Sequence, residues 1–244
     1  MHCVLLIERL EMTTKTLIRE DDALTRGQAA SPDPDPLCTK ASAAPTACNI
    51  FWSAGRVSQQ DRQQQLGHRP ATVWLTGLSG AGKSTIAYEL ELMLISEKQP
   101  CYVLDGDNLR HHLNSDLGFS AEDRKENIRR AAEVARLMND AGLIVITSFI
   151  SPSRETREMA RAIIGEDRFL EVHVSTSARV CESRDPKGLY AKARAGQIPH
   201  FTGVSSPYEP PTAPALELDT GKMTPDEAVR SLRNCLANHL GRSQ

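Results

Sequence analysis

No apolar run in this sequence approaches the ~20 residues that a membrane-spanning helix requires. The stretch 143–146 is broken by Thr147 and Ser148 before Phe149 and Ile150, and it reads as a buried strand. Metal-site spacing is missing as well. Cys3, Cys38, Cys48, Cys101, Cys181 and Cys235 are scattered with no CxxC pair, which excludes a zinc-finger pattern and a compact disulfide framework. Nor does charge of one sign prevail: the formal net charge is −2, so the overall balance gives no reason to expect a nucleic-acid partner. These absences predict a cytoplasmic protein with reduced structural thiols, working away from membranes and nucleic acid.

What is present suits one large domain with an extension: 244 residues, 40% of them hydrophobic, are enough for a buried core. Residues 1–48 differ in texture from the rest, with Ser31-Pro32-Asp33-Pro34-Asp35-Pro36 followed by the small-residue stretch 41–47. Such composition predicts a disordered N-terminal extension. Arg9, Lys15 and Arg19 lie near the short apolar run 4–7, but Glu8, Glu11, Glu20, Asp21 and Asp22 do not fit a transit peptide, and Met12 offers an alternative start. The folded domain is expected over 49–244.

Within it, β-rich runs alternate with helical spacing. Strands are expected at 71–76, 101–104, 143–148, 169–174 and 215–219. Helices are expected after residue 82, with Ile86, Leu90, Met93 and Leu94 on one face, over 121–141, with Ile128, Ala131, Ala135 and Met138, and from about Pro225. Strands separated by helices imply a three-layer α/β/α fold with a mostly parallel, five-stranded sheet, whose ligands bind beyond the carboxyl ends of the strands.

Gly77-Leu78-Ser79-Gly80-Ala81-Gly82-Lys83-Ser84 follows the first strand and opens the first helix, as the P-loop motif GxxxxGK[ST] needs. It makes the fold that of a P-loop NTPase and makes residues 77–84, with Thr85, the ATP site. Lys83 is expected to reach the β- and γ-phosphates, and the Ser84 hydroxyl to ligate Mg²⁺. GTPases and motors share this loop, so the acceptor side must decide the activity. There Asp105-Gly106-Asp107 follows the second strand. One carboxylate would help hold magnesium and the other would orient or deprotonate an acceptor hydroxyl; the plainer alternative is a helix cap. Arg110, Arg124, Arg129, Arg130 and Arg154 fall in segments flanking the same edge, where forked guanidinium groups suit phosphate and sulfate oxygens; for Arg129 and Arg130 a solvated helix face is the better reading.

Further blocks occur in order: Leu104-Asp105-Gly106-Asp107-Asn108-Leu109-Arg110, Asp116-Leu117-Gly118-Phe119-Ser120, Asp123-Arg124 and Glu126-Asn127-Ile128-Arg129-Arg130. They continue with Ser148-Phe149-Ile150-Ser151-Pro152, Arg184-Asp185-Pro186-Lys187-Gly188-Leu189-Tyr190 and Phe201-Thr202-Gly203. Together they resemble the adenylylsulfate kinase family of P-loop kinases over roughly residues 49–220. The resemblance implies phosphorylation of the 3′-hydroxyl of adenosine 5′-phosphosulfate by ATP with Mg²⁺, in sulfate assimilation. It implies that Phe119 and Phe201 sandwich the acceptor's adenine, that Arg110, Arg124 and Asn127 hold its phosphosulfate and ribose side, and that Ile150 and Ser151 line the pocket. It further implies that Asp107 orients the hydroxyl, and that residues 184–194 form a lid bringing Arg184 to ATP and Lys187 to the transferred group and acceptor. A homodimer and association with an ATP sulfurylase are implied too. Ser151 stands where the family has a serine described as a phosphoserine intermediate, though no activating base is apparent around it. One departure is Ser153, where the family usually carries tyrosine. Another P-loop small-molecule kinase would explain fewer of these blocks, and intact Lys83, Ser84, Asp105 and Asp107 argue against a nucleotide-binding subunit without turnover.

Overall fold

The computed structural model of the chain describes residues 50, 51, 53 and 55–241. The predicted extension, residues 1–48, lies outside the described residues.

Strand β1 (Thr72–Thr76) is buried at every position. Its residues feed two cores alternately, Val73 and Leu75 joining one apolar cluster and Trp74 the other, as the two-residue period of a strand covered on both faces requires. Strands β2 (Cys101–Asp105), β3 (Ile144–Ser148), β4 (Phe169–Val174) and β5 (Leu216–Leu218) join it in the order β2-β3-β1-β4-β5. The expected five-stranded sheet is therefore present, and every pairing in it is parallel. Among the described residues the helices are α1 (Gln59–Leu66), α2 (Lys83–Ser96), α3 (Gly106–His111), α4 (Ala121–Asp140), α5 (Arg154–Ile164), α6 (Ala178–Arg184), α7 (Leu189–Arg194) and α8 (Pro225–Gly241). Each strand-to-strand connection contains at least one, as parallel neighbours demand.

Helices α2 and α8 cover one face, burying Ile86, Leu90, Leu94, Leu232 and Leu236 against Val73, Leu75 and Ile146. Helices α4 and α5 cover the other through Ile128, Ala131, Ala135, Ala160 and Ile164. Trp74 is the hub of this second face, its ring 5.3 Å from that of Phe149 and 5.6 Å from that of Phe169. Each fully buried Leu or Ile contributes on the order of 2 kcal/mol relative to exposure, so both layers hold the sheet firmly.

The expected elements sit within a residue or two of their places, but α1 and α6 have no counterpart in the sequence reading, and neither has α5. Its start is fixed by Ser153, whose hydroxyl accepts from the Thr156 backbone N–H at 3.2 Å. The serine that departs from the family pattern is thus an N-cap, and losing such a cap costs about 1 kcal/mol.

The register brings Leu75 beside Ser148 and Ser148 beside Asp105. The loops leaving β1, β2 and β3 therefore emerge at one edge, the carboxyl edge at which open parallel sheets bind ligands.

Candidate active site

The loop leaving β1 turns through Gly77, at φ 152°, and Gly80, at φ 75°. A Cβ on Gly77 would lie 2.4 Å from the Val174 carbonyl oxygen, so only glycine lets the loop run this close to β4. Lys83, the first residue of α2, donates from Nζ to the carbonyls of Gly77 at 2.9 Å and Leu78 at 2.7 Å. Burial pushes its ammonium pKa down to about 8. Thr176 and Thr220 brace the loop from behind, both hydroxyls donating to the Ala81 carbonyl, at 3.2 and 2.9 Å. Neither threonine was foreseen. Each sits two residues beyond a strand, β4 and β5, and that position at the binding edge was the available signal.

Asp105 ends β2 and is buried. Its Oδ1 accepts from the backbone N–H groups of Asp107 and Asn108, at 3.0 and 3.4 Å, and so caps α3. Its Oδ2 accepts from Ser84 Oγ at 2.8 Å, and Ser84 Oγ lies 3.0 Å from Ser148 Oγ. The capping alternative for this aspartate holds, and its second oxygen remains part of a cluster with two hydroxyls. An all-oxygen cluster of this kind beside a phosphate loop fits a hard divalent cation such as Mg²⁺, which takes few protein ligands and completes its shell with phosphate and water. Asp107, one residue into α3, forms an ion pair with Lys187.

These groups open on one cavity of about 1020 Å³. Of the residues expected to bind ATP, Ser79, Gly80, Gly82, Lys83, Ser84, Thr85 and Arg184 line it. Gly77, Leu78 and Ala81 do not: Ala81 is fully buried, and Leu78 packs beneath Gly203. On the acceptor side Asp105, Asp107, Arg110, Phe119, Arg124, Asn127, Ile150, Ser151, Lys187 and Phe201 all line the same cavity.

Their present partners show what a ligand would displace. Arg110 Nη1 donates to the carbonyls of Leu117 at 3.2 Å and Gly118 at 2.7 Å, and its guanidinium lies 4.4 Å from the centre of the exposed Phe119 ring. Arg124 reaches Thr202 Oγ1 at 3.2 Å and the His200 carbonyl at 2.6 Å. Burial lowers the pKa of both guanidinium groups, in Arg110 assisted by Arg124. Two guanidinium groups at this end, neither in a salt bridge with another described residue, favour an anionic guest. Asn127 Oδ1 accepts from the buried Asn114 at 3.0 Å. Phe201 meets Tyr190 edge-on at 5.0 Å, and the Tyr190 hydroxyl donates to the Ser79 carbonyl at 3.0 Å, tying the second aromatic to the phosphate loop. Arg184 donates to Thr220 Oγ1 at 2.8 Å and to the Thr220 carbonyl at 2.7 Å.

Of the five arginines in segments flanking this edge, Arg129, Arg130 and Arg154 do not line the cavity. Arg129 pairs with Glu126, Arg130 with Glu126 and Asp116, and Arg154 donates to the Pro210 carbonyl at 2.9 Å. The first two have acidic neighbours along α4 that claim them, as the solvated-face reading has it, and the third is turned toward the 207–211 loop. Ser151 Oγ accepts from the Trp74 indole N–H at 3.3 Å, and among the described residues no carboxylate or imidazole hydrogen-bonds to it.

Residues 69–219 match the family model described as adenylylsulphate kinase. The adenylyl-sulfate kinase of Shewanella amazonensis is 55% identical over 184 residues, which cover 75% of this chain and 93% of that protein. The adenylyl-sulfate kinase of Klebsiella pneumoniae subsp. pneumoniae is 58% identical over 171 residues, 70% of this chain and 85% of its own. Among solved structures, the Mycobacterium tuberculosis APS kinase CysC in complex with AMPPNP and APS is similar with a TM-score of 0.67 at 50% identity, covering 70% of this chain and 99% of that one.

Proposed function

The chain belongs to the adenylylsulphate kinase family, and from that premise we propose that it transfers the γ-phosphoryl group of ATP to the 3′-hydroxyl of adenosine 5′-phosphosulfate, giving 3′-phosphoadenylylsulfate and ADP. The observation that carries the reading is the single cavity in which a phosphate loop faces two arginines and two phenylalanines.

Lys83 would leave the Gly77 and Leu78 carbonyls for the β- and γ-phosphates, and Arg184 would flank the nucleotide. Phe119 and Phe201 would stack on the acceptor's adenine, while Arg110, Arg124 and Asn127 would hold its phosphosulfate and ribose. Ile150 and Ser151 would form the wall behind it. Asp107 would accept a hydrogen bond from the 3′-hydroxyl and aim its oxygen at the γ-phosphorus. As the new O–P bond forms, the bond from that phosphorus to the β–γ bridging oxygen breaks, and the hydroxyl proton passes to Asp107. Lys187 would neutralise charge on the moving phosphoryl group, an effect worth several kcal/mol where water is excluded. Ser84 and Asp105 would hold Mg²⁺ carried in with ATP, whose charge offsets that of the phosphate oxygens.

The proposal extends to an alcohol-group phosphotransferase of sulfate assimilation working in the cytoplasm, with residues 49–244 as its catalytic domain. It includes a homodimer, supported by the exposed side chains of Tyr88, Leu92 and Ile95 along one face of α2 beside Tyr102, and association with an ATP sulfurylase. The deciding experiment measures ADP release with Mg–ATP, with and without low-micromolar adenosine 5′-phosphosulfate. Acceptor-dependent release with stoichiometric 3′-phosphorylated product is expected. Turnover with a neutral sugar alcohol but not with the sulfated nucleotide would overturn the reading.

A further inference from the structure

Behind the acceptor end of the cavity lies a guanidinium that the scheme above does not use. Arg157, on α5, is 2% exposed, and each of its three nitrogens serves a different segment. Nε donates to Glu171 Oε1, Nη1 to the Ser151 carbonyl and Nη2 to the Glu209 carbonyl, each at 2.7 Å. The charge is balanced inside the fold: Glu171, on β4, is also buried and takes a second bond at 2.9 Å from Arg161, one turn further along α5.

One carbonyl, that of Ser151, belongs to a residue lining the pocket, and the other, that of Glu209, to the segment that follows Phe201 and Thr202, which also line it. Ser151 sits in the Ile150-Ser151-Pro152 wall at φ 36°, a left-handed conformation that a residue with a Cβ keeps only where its surroundings impose it. Arg157 and Thr76 are among the groups that hold it: Thr76 Oγ1 donates to the Ile150 carbonyl at 2.8 Å, reaches the Ser151 carbonyl at 3.3 Å and lies 3.0 Å from the Tyr208 hydroxyl. Glu209 lies just beyond the turn that carries Phe201 and Thr202, where the backbone N–H groups of Ser205 and Ser206 both donate to the Phe201 carbonyl at 3.0 Å. The Glu209 N–H donates to the Pro152 carbonyl at 2.8 Å, so the two segments meet beside the guanidinium.

We infer that Arg157 is a positioning residue for the acceptor: through the carbonyls of Ser151 and Glu209 it sets the separation between the Ile150–Pro152 wall and the loop that presents Phe201. Lysine keeps the charge beside Glu171 but lacks the planar fork that joins three segments. The hydrogen bonds of Arg157 go to none of Lys83, Ser84 or Arg184, so its loss falls on the acceptor end. The inference deepens the proposed acceptor site and depends on that reading only for which ligand occupies it.

The test compares the full-length chain with Arg157→Lys, and with the pair Arg157→Met/Glu171→Met, which removes both charges so that neither is left buried alone. If the single variant fails to fold, the pair carries the test. Both KM values, kcat, and ligand-free amide hydrogen exchange over 148–153 and 201–211 are measured. The acceptor KM is expected to rise about tenfold or more while the ATP KM stays within about twofold, because misplaced walls spoil substrate geometry selectively. Exchange should quicken in both segments. Unchanged exchange in a folded variant would overturn the inference, as would a lower melting temperature and kcat with both KM values intact. Exchange needs no acceptor, so the two readings fail separately. If the wild type ignores adenosine 5′-phosphosulfate while Arg157→Lys loosens both walls, the acceptor assignment falls and the positioning role stands.

Discussion

Lys187 and Asp107, 80 positions apart in the chain, are joined as an ion pair at the mouth of the cavity, each about two-thirds exposed. A pair this exposed is worth no more than ~1 kcal/mol, so substrates can part it at little cost. The two groups then have separate partners, a hydroxyl for the carboxylate and a phosphoryl group for the ammonium. The carboxylate raises the Lys187 pKa above its ordinary value, so the lysine enters the reaction charged. Replacing Asp107 by Asn should lower kcat by ~10²- to 10⁴-fold, as for other lost general bases, with ATP affinity nearly unchanged. Single-turnover phosphoryl transfer and equilibrium ATP binding, measured on the same protein, check this. Weakened ATP binding with intact kcat would move Asp107 out of the acceptor role.

Ser151→Ala should retain most of the turnover. A covalent phosphoserine would require the hydroxyl to lose its proton to a base, and its hydrogen bond is instead received from the Trp74 indole. The substitution leaves a buried indole N–H unpaired, costing about 1–3 kcal/mol of stability. The expected signature is therefore a lowered melting temperature with kcat within about threefold of wild type. Near-complete loss of turnover in a folded variant would reinstate the covalent intermediate.

Gly77→Ala should damage both stability and nucleotide binding. The new Cβ would meet the Val174 carbonyl oxygen at 2.4 Å, and that atom is backbone at the end of β4, a strand paired on both sides within the sheet. A loss of at least about 2 kcal/mol is expected from the combined clash and backbone strain. Chemical denaturation and ATP titration measure the two effects. An alanine variant with wild-type stability would mean that the loop relaxes away from β4.

The phosphate loop and the strand edge were legible because they follow local rules: a motif fixes Lys83 and Ser84, and the apolar runs fix the strands. Helix α5 was missed although Ala160 and Ile164 recur at helical spacing behind the Ser153 cap, because a charged residue, Arg157, falls on the same buried face. Arg154 looked like a site residue because sequence places it near the right edge, yet orientation is set by the distant Glu209 and Pro210. The same limit hid Arg157 and Glu171, whose pairing depends on how α5 lies over β4. It also hid Thr176 and Thr220, which converge on one carbonyl from two separate strands. Local chemistry could be read from the chain, whereas partners brought together only by the sheet order could not.

The affinity for ATP should weaken with alkali through Lys83. Burial moves its pKa from the ordinary 10.5 to about 8 in the ligand-free fold. Between those values the unfolded chain holds the proton and the folded one releases it. The group therefore penalises folding at neutral pH, and the penalty is relieved as pH rises from about 8 toward 10.5. ATP reverses the preference, because its phosphates favour the ammonium form. Above pH 8 the protein must regain a proton to bind, at a cost approaching tenfold in affinity per pH unit. The Kd for Mg–ATP should accordingly be flat below pH ~7.5 and climb beyond pH ~8, with proton uptake visible by calorimetry in buffers of different ionisation enthalpy. Lys83→Met should bind more weakly with no such climb. A Kd that stays level to pH ~9.5 in the wild type would mean that the lysine remains charged in the empty loop, its bonds to the Gly77 and Leu78 carbonyls outweighing burial.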